Sequence, residues 1–234
     1  MKRVAIVQSN YIPWKGYFDL IRRVDEFVLL DEVQFTRRDW RNRNRIKTAS
    51  GLHWLTIPVE SKGRYRQKVS ETRISDSSWA DRHWRSILHA YAKAARFDDF
   101  GPAIRNLYRE AAAIERLSDV NRLFLEHLCA LLDVETAITR STDYALTEGA
   151  SERLVAICAQ AGAEVYLSGP SARAYLDLDL FAEKGIRVEW MDYSSYPEYP
   201  QLHGPFEHAV SILDLLLNTG RAAATFLERE NQPI

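Results

Sequence analysis

Residues 4–47 read VAIVQSNYIPWKGYFDLIRRVDEFVLLDEVQFTRRDWRNRNRIK, and the fold is decided here. Val4–Val7 is a short, continuously apolar run bounded by polar residues, the pattern of a strand buried on both faces. A loop carrying Gln8, Asn10 and Tyr11 follows, then Pro13-Trp14-Lys15-Gly16. From Gly16 to Arg23 the apolar positions Tyr17, Leu20, Ile21 and Val24 fall on one helical face, and Glu26–Leu30 reads as a second buried strand ending at Asp31. Strand, helix and strand in this order predict a parallel pair. In an open α/β sheet, ligands bind beyond the carboxyl ends of such strands.

Working outward, Asn44–Thr48 and His53–Val59 predict a hairpin about Ala49-Ser50-Gly51, with Pro58 marking an edge or terminus. Ser61–Glu71 is a basic loop, read as solvated or as a flap over the site. Residues 79–132 switch to helical periodicity, broken at Asp99–Pro102, and read as a helical insertion beside the sheet. Strands are expected at Glu135–Thr139, Glu164–Leu167 and Arg187–Met191. A helix capped by Ser151 runs to Ala161, and C-terminal helices are expected at Val210–Leu217 and Ala222–Leu227. The fold class expected is α/β, a Rossmann-like parallel sheet with flanking helices, in one domain over residues 1–234 with the insertion at 79–132.

A net charge of −1 argues against a protein whose main task is gripping nucleic acid or an anionic membrane. The balance hides a concentration: between Thr36 and Lys47 six basic residues face Asp39 alone, +5 in a segment whose removal leaves −6. Cys129 and Cys158 sit among apolar residues and read as buried thiols. The histidines are scattered at spacings unsuited to a metal site. No apolar run approaches a signal sequence or a membrane span, so the cytoplasm is the default location. The oligomeric state is left open.

In a strand, Arg41, Arg43 and Arg45 face one way and Asn42 and Asn44 the other. Guanidinium forks suit phosphate or carboxylate, and asparagine suits sugar or amide groups. With Arg38 and Gln34 this makes a binding row, the alternatives being a solubilised edge strand or a weaker nucleic-acid patch. Tyr11, Trp14 and Trp40 are candidates to stack on a sugar or base. Ser168-Gly169 opens a strand–turn–helix where backbone N–H groups and Arg173 would cradle an anion, unless the turn is an ordinary cap. Asp31 and the loop residue His203 are the candidate proton acceptors, against a turn cap and a satisfied histidine.

These segments carry a resemblance. QSNYIPWKGYF (8–18), VDEFVLLDEVQF (24–35), RRDWRNRNRI (37–46), HWLTIPV (53–59), SERLVAIC (151–158), GAEVYLSGPSARAYLD (162–177) and YPQLHGPFEHAVSILDLLLN (199–218) closely resemble the WbqC-like family of bacterial proteins, over residues 3 to about 220. Ser9 and Ala95 stand where the family usually has proline. The resemblance implies a role in O-antigen or other surface-polysaccharide biosynthesis: transfer of an acyl or aminoacyl group onto an amino sugar, forming an amide. The implied partners are a sugar nucleotide or amino sugar and an acyl or aminoacyl donor. A looser similarity, to pantothenate synthetase and other nucleotidylyltransferase-like enzymes, implies carboxylate activation by ATP with magnesium. There Trp14-Lys15-Gly16-Tyr17 replaces a His-x-Gly-His motif, keeping Gly16 and neither histidine, while Gln34-Phe35 and Ser171–Leu176 align. Losing both histidines removes the groups that would balance phosphate charge and weighs against ATP. The competing expectation is a non-catalytic nucleotide or sugar-nucleotide binder on the same fold.

Overall fold

A computed structural model of the chain describes residues 1–227. Its centre is a five-stranded, all-parallel sheet of β1 (Arg3–Val7), β2 (Glu26–Leu29), β5 (Ala137–Arg140), β6 (Val165–Ser168) and β7 (Arg187–Trp190), in the order β5-β2-β1-β6-β7. A separate antiparallel hairpin pairs β3 (Arg43–Thr48) with β4 (Gly51–Thr56), Arg45 opposite Trp54. The chain steps outward from β1 through β2 to β5, then returns to the other side of β1 for β6 and β7. The strand order therefore reverses between β1 and β6, the position where open α/β sheets form a crevice.

Strand alternation sends Val4, Ile6, Val28 and Tyr166 to one face and Ala5, Phe27, Leu29 and Leu167 to the other. The first set packs on α5 (Ala150–Gln160) and α6 (Leu178–Glu183), through Leu154, Ile157 and Phe181. The second packs on α1 (Lys15–Arg22), on the helices α2 (Trp79–Tyr91), α3 (Phe97–Ala111) and α4 (Leu117–Leu131), and on α7 (Ile212–Thr219). Burial on both faces is why these strands read as unbroken apolar runs. Cys129 and Cys158 are buried in the two clusters, which pushes both thiols up to about 12.

Three expectations are corrected. The helical region does not break at Asp99–Pro102: α3 runs through it, with Pro102 in its second turn, and the breaks fall at residues 92–96 and 112–116. Proline there removes one bond, to the Asp98 carbonyl, near an end where backbone donors are already unpaired. The turn after β6 leads into a short 3₁₀ segment, Pro170–Ala174, and Gly220–Phe226 is likewise 3₁₀ rather than α-helical. No described helix is long and apolar enough to cross a membrane.

Candidate functional site

At the carboxyl end of β1 the chain turns through Gln8, Ser9 and Asn10, and the arginine-rich segment folds back over it. The backbone N–H of Tyr11 donates to the Trp40 carbonyl at 3.0 Å. The Arg41 guanidinium donates to the side-chain oxygens of Gln8, at 3.0 Å, and Asn10. Arg41 precedes β3, so it leaves the row expected of a continuous strand and serves the β1 tip instead. Beneath it, Tyr17 is buried and donates to the Gln8 carbonyl at 2.9 Å.

Beside this tip lies a hollow of about 230 Å³ lined by Asn10, Pro13, Trp14, Trp40, Asn44 and Ala209. Trp14 precedes α1 and folds back over Gly16: a Cβ at Gly16 would lie 2.3 Å from Trp14 Cζ2. Glycine is needed there for the approach of the indole. Tyr193 and Tyr196 pack edge-on against Trp14, with centroids at 5.4 and 5.9 Å. Tyr193 also borders Gly169, so the bend after β6 reaches the hollow's Trp14 wall through this tyrosine. Asn44 is buried, its amide donating to the carbonyls of Tyr11 and Ile12. The backbone N–H of Ser211 donates to the Arg45 carbonyl and that of Ile212 to the Pro13 carbonyl, both at 2.8 Å, seating the start of α7 beside the hollow.

Asp31 follows β2 and is 5% exposed. Its Oδ1 accepts from the Ser9 backbone N–H at 2.9 Å, while its Oδ2 is buried without a hydrogen-bond partner. Burial raises its pKa against the opposing hydrogen bonds from Ser9 and Ser118 and the charge of Arg41. Asn121, in the first turns of α4, ties the loop down by donating to the Ser9 hydroxyl and the Arg41 carbonyl.

The remaining candidates lie elsewhere or are already engaged. Tyr11 is fully buried between Trp79 and Phe124, so it has no face to offer a ligand. Its loop passes inward, and its hydroxyl bonds His83 and Tyr108. His203, at φ +69°, bonds the Ala90 carbonyl and lines a different groove with His53 and His89. Gln34 donates to the Tyr65 carbonyl, anchoring the basic loop. Ser168 is buried with its hydroxyl 3.4 Å from that of Tyr166. Arg173 lies over the Trp190 ring at 5.2 Å, and the brief 3₁₀ turn offers no helix start to hold an anion.

Arg38, Asn42 and Arg43 line a second groove, next to the hollow along the chain. On the exposed hairpin face Arg43 lies 4.2 Å over Trp54, and Arg45 reaches both Trp54 and Trp40. Sequence reading missed Pro13, Ala209, Asn121 and Trp54. Only Trp54 left a signal: a hairpin about residues 49–51 brings it within one residue of the position opposite Arg45.

Lys15 was also passed over. It is buried in α1, its ammonium donating to the Pro197 carbonyl at 2.9 Å and facing the rings of Tyr196, Tyr199 and Phe206. Desolvation lowers its pKa to about 8, against the opposing charges of Glu198 and Asp214. It is turned away from the hollow.

No solved structure matches the chain. The uncharacterized protein Rv1507c of Mycobacterium tuberculosis is 52% identical over 227 residues, covering 97% of this chain and 98% of that protein. The model of the WbqC-like protein family matches residues 8–226, which takes in the β1 tip, the arginine segment, the hollow and α7; the chain belongs to the WbqC-like protein family.

Proposed function

We propose that this protein forms an amide in bacterial surface-polysaccharide biosynthesis, joining an acyl or aminoacyl group to the amine of a sugar held in the hollow beside Trp14. The observation that carries this reading is the hollow itself. It combines two indoles and a proline with Asn10 and Asn44 at the carboxyl end of β1. Indole faces suit the apolar faces of a sugar ring, and the Asn10 amide suits its hydroxyl and acetamido groups, while Asn44 is engaged by the backbone of Tyr11, Ile12 and Arg45 and shapes the wall. Its volume falls below the roughly 300–1,000 Å³ of pockets that enclose drug-sized ligands, so it suits one ring rather than a whole nucleotide.

In the reaction the amine nitrogen attacks the acyl carbon, the leaving group departs with its electron pair, and the amine gives up a proton. Asp31 is assigned as acceptor through its unpartnered Oδ2 at the β1 tip, where it stands behind Ser9 rather than in the wall of the hollow and burial raises its pKa. His203 has no part in this assignment.

The residues do not fit ATP with magnesium. Trp14 covers Gly16 at the start of α1, Lys15 is turned into an aromatic cage, and Arg173 is held over Trp190. No step is routed through ATP, and the donor is inferred to arrive already activated, as a thioester or an ester.

The burial of Asp31 beneath Ser9 favours the second reading, a non-catalytic sugar-nucleotide binder. Incubating the protein with nucleotide-linked amino sugars and a panel of acyl and aminoacyl donors, with mass spectrometry of the products, separates the two. The enzyme reading expects a mass gain equal to the acyl group, falling about 10–100-fold in Asn10→Ala as a hydrogen-bond partner is lost. Sugar-nucleotide binding seen by thermal shift, roughly 2.7 kcal/mol at a hundredfold excess over Kd, with no product from any donor, would replace it by the binding reading.

A further inference from the structure

The groove next to the hollow has a composition of its own. It encloses about 250 Å³ between Arg37, Arg38, Asn42, Arg43, the Thr56–Val59 stretch and Ser61. Among the described residues, none of Arg37, Arg38 and Arg43 forms an ion pair with a carboxylate, although ion pairs occur throughout the rest of the chain. Asp39, next to Arg38 in the chain, pairs with Arg41, at 3.7 Å. Desolvation raises the Asp39 pKa, but the Thr36 hydroxyl and the charges of Arg41 and Arg43 outweigh it and hold the carboxyl low.

Two of the guanidiniums, those of Arg37 and Arg43, are held in place. Arg37 donates to the Ser61 carbonyl and lies 5.4 Å over the Tyr65 ring. Arg43 donates to the Arg38 carbonyl, which is presented by a backbone at φ +58°. For an arginine that left-handed conformation is unfavourable. Three arginines lining one groove, none of them ion-paired to a carboxylate, repel one another until an anion joins them.

Asn42 fixes the second half of the ligand. It is 7% exposed, and its amide N–H donates to the Ile57 carbonyl at 2.8 Å. A carbonyl only accepts, so this bond sets the amide's orientation and leaves Oδ1 as an acceptor. That Oδ1 is buried without a partner, as is the Nε donor of Arg43. Each such orphan forfeits a hydrogen bond made in water, which a suitable ligand group would restore. An oxyanion satisfies the arginines but brings no donor for Asn42; a hydroxyl beside the oxyanion does. One carboxylate would leave most of the positive charge uncompensated, whereas a phosphate group carries close to two negative charges near neutral pH.

We propose that this groove binds a phosphorylated sugar, its phosphate on Arg37, Arg38 and Arg43 and one of its hydroxyls on Asn42. The groove shares no lining residue with the hollow that seats the acceptor in the amide-forming reading, so the inference goes beyond that reading and the groove is tested by itself. Titration calorimetry of the full chain would use a hexose 1-phosphate, the free hexose and inorganic phosphate. The hexose phosphate is expected to bind tightest, inorganic phosphate at least tenfold more weakly, and the free hexose not measurably. Arg37→Gln and Arg38→Gln should each weaken hexose-phosphate binding tenfold or more with an unchanged melting temperature. Arg85→Gln, which removes the same charge from a distant helix, should leave binding unchanged.

Equal binding of inorganic phosphate would overturn the hydroxyl half, and equal loss in Arg85→Gln would reduce the groove to general electrostatics. Absence of binding to the wild type would overturn the proposal outright. Hexose-phosphate binding lost in the Arg37 and Arg38 variants, in a protein that makes no amide, would leave the groove standing while the reaction fell.

Discussion

His83 shows what the sequence hides at the level of one side chain. Its Nε2 lies 3.2 Å from the Thr56 carbonyl, which can only accept, so in the neutral ring the proton is on Nε2. Nδ1 must then accept from the Tyr11 hydroxyl at 2.9 Å, and Tyr11 accepts in turn from Tyr108 at 2.6 Å. The chain of donors runs one way, from α3 through the β1 loop to α2 and β4, and a second proton on the ring would break it. Desolvation, with the charges of Arg82 and His53, lowers the His83 pKa from 6.5 to about 4 against the opposing bond to Thr56. Between those values the unfolded chain binds a proton that the folded chain refuses, so stability rises with pH across this window and is lost on acidification. The full difference is about 3 kcal/mol. Buried Asp31 and Asp214 have raised pKa values and contribute with the opposite sign, so the comparison must be with a variant. Urea denaturation of wild type and His83→Gln at pH 4.5 and 7 should show the wild type losing more stability on acidification. Parallel losses would mean that His83 carries a proton in the fold.

Among the elements, the start of α1 makes the sharpest case. Gly16→Ala in a helix ordinarily gains up to about 1 kcal/mol. Here the new methyl meets the Trp14 indole, which Tyr193 and Tyr196 hold from the side, so the substitution should cost about 1–3 kcal/mol instead. In a Trp14→Ala background the same change should turn stabilising, and denaturation of the four proteins of the cycle measures that reversal of sign. A Gly16→Ala effect of the same sign in both backgrounds would rule out the indole as the reason for glycine. The strands and the hairpin were legible because burial on both faces, or on one, writes period and composition directly into the chain: β1, β2, β6 and β7 lie within a residue or two of their expected spans. The arginine row was half legible. Arg43 and Arg45 do share a strand face, but β3 begins at Arg43, and nothing local says that Arg41 turns to Gln8 and Asn10. Tyr11 and His203 misled for a common reason. Each sits in an irregular segment whose direction, inward or outward, is set by helices far away in sequence.

At the scale of the whole molecule, the segment between β7 and α7 completes the hollow, and two buried lysines fasten it. Lys15 takes the Pro197 carbonyl, while Lys47 on β3 donates to Gln201 at 2.6 Å and to the carbonyls of Gly204 and Pro205. Gln201 passes the connection to Asp214 of α7, which also accepts from Tyr91 and Tyr199, each at 2.7 Å. A hairpin lysine thus sets the position of the segment that ends in Ala209 on the hollow's wall. Replacing it by methionine keeps most of the apolar stem but removes the ammonium from the Gly204 and Pro205 carbonyls and from Gln201 Oε1, which keeps only the Glu207 backbone N–H. Lys47→Met should cost about 2–4 kcal/mol, since buried bonds from a charged donor are among the stronger ones. For a chain of this size that lowers Tm by roughly 5–15 °C. The loss should be local before it is global. At a temperature where the variant is still folded, backbone amides of residues 196–209 should exchange faster with deuterium while those of β1 and β2 keep their protection. Ligands of the hollow should weaken in step, because Ala209 no longer has a fixed place. Uniformly faster exchange across sheet and segment alike would instead make Lys47 an ordinary part of the core, with no particular hold on the site.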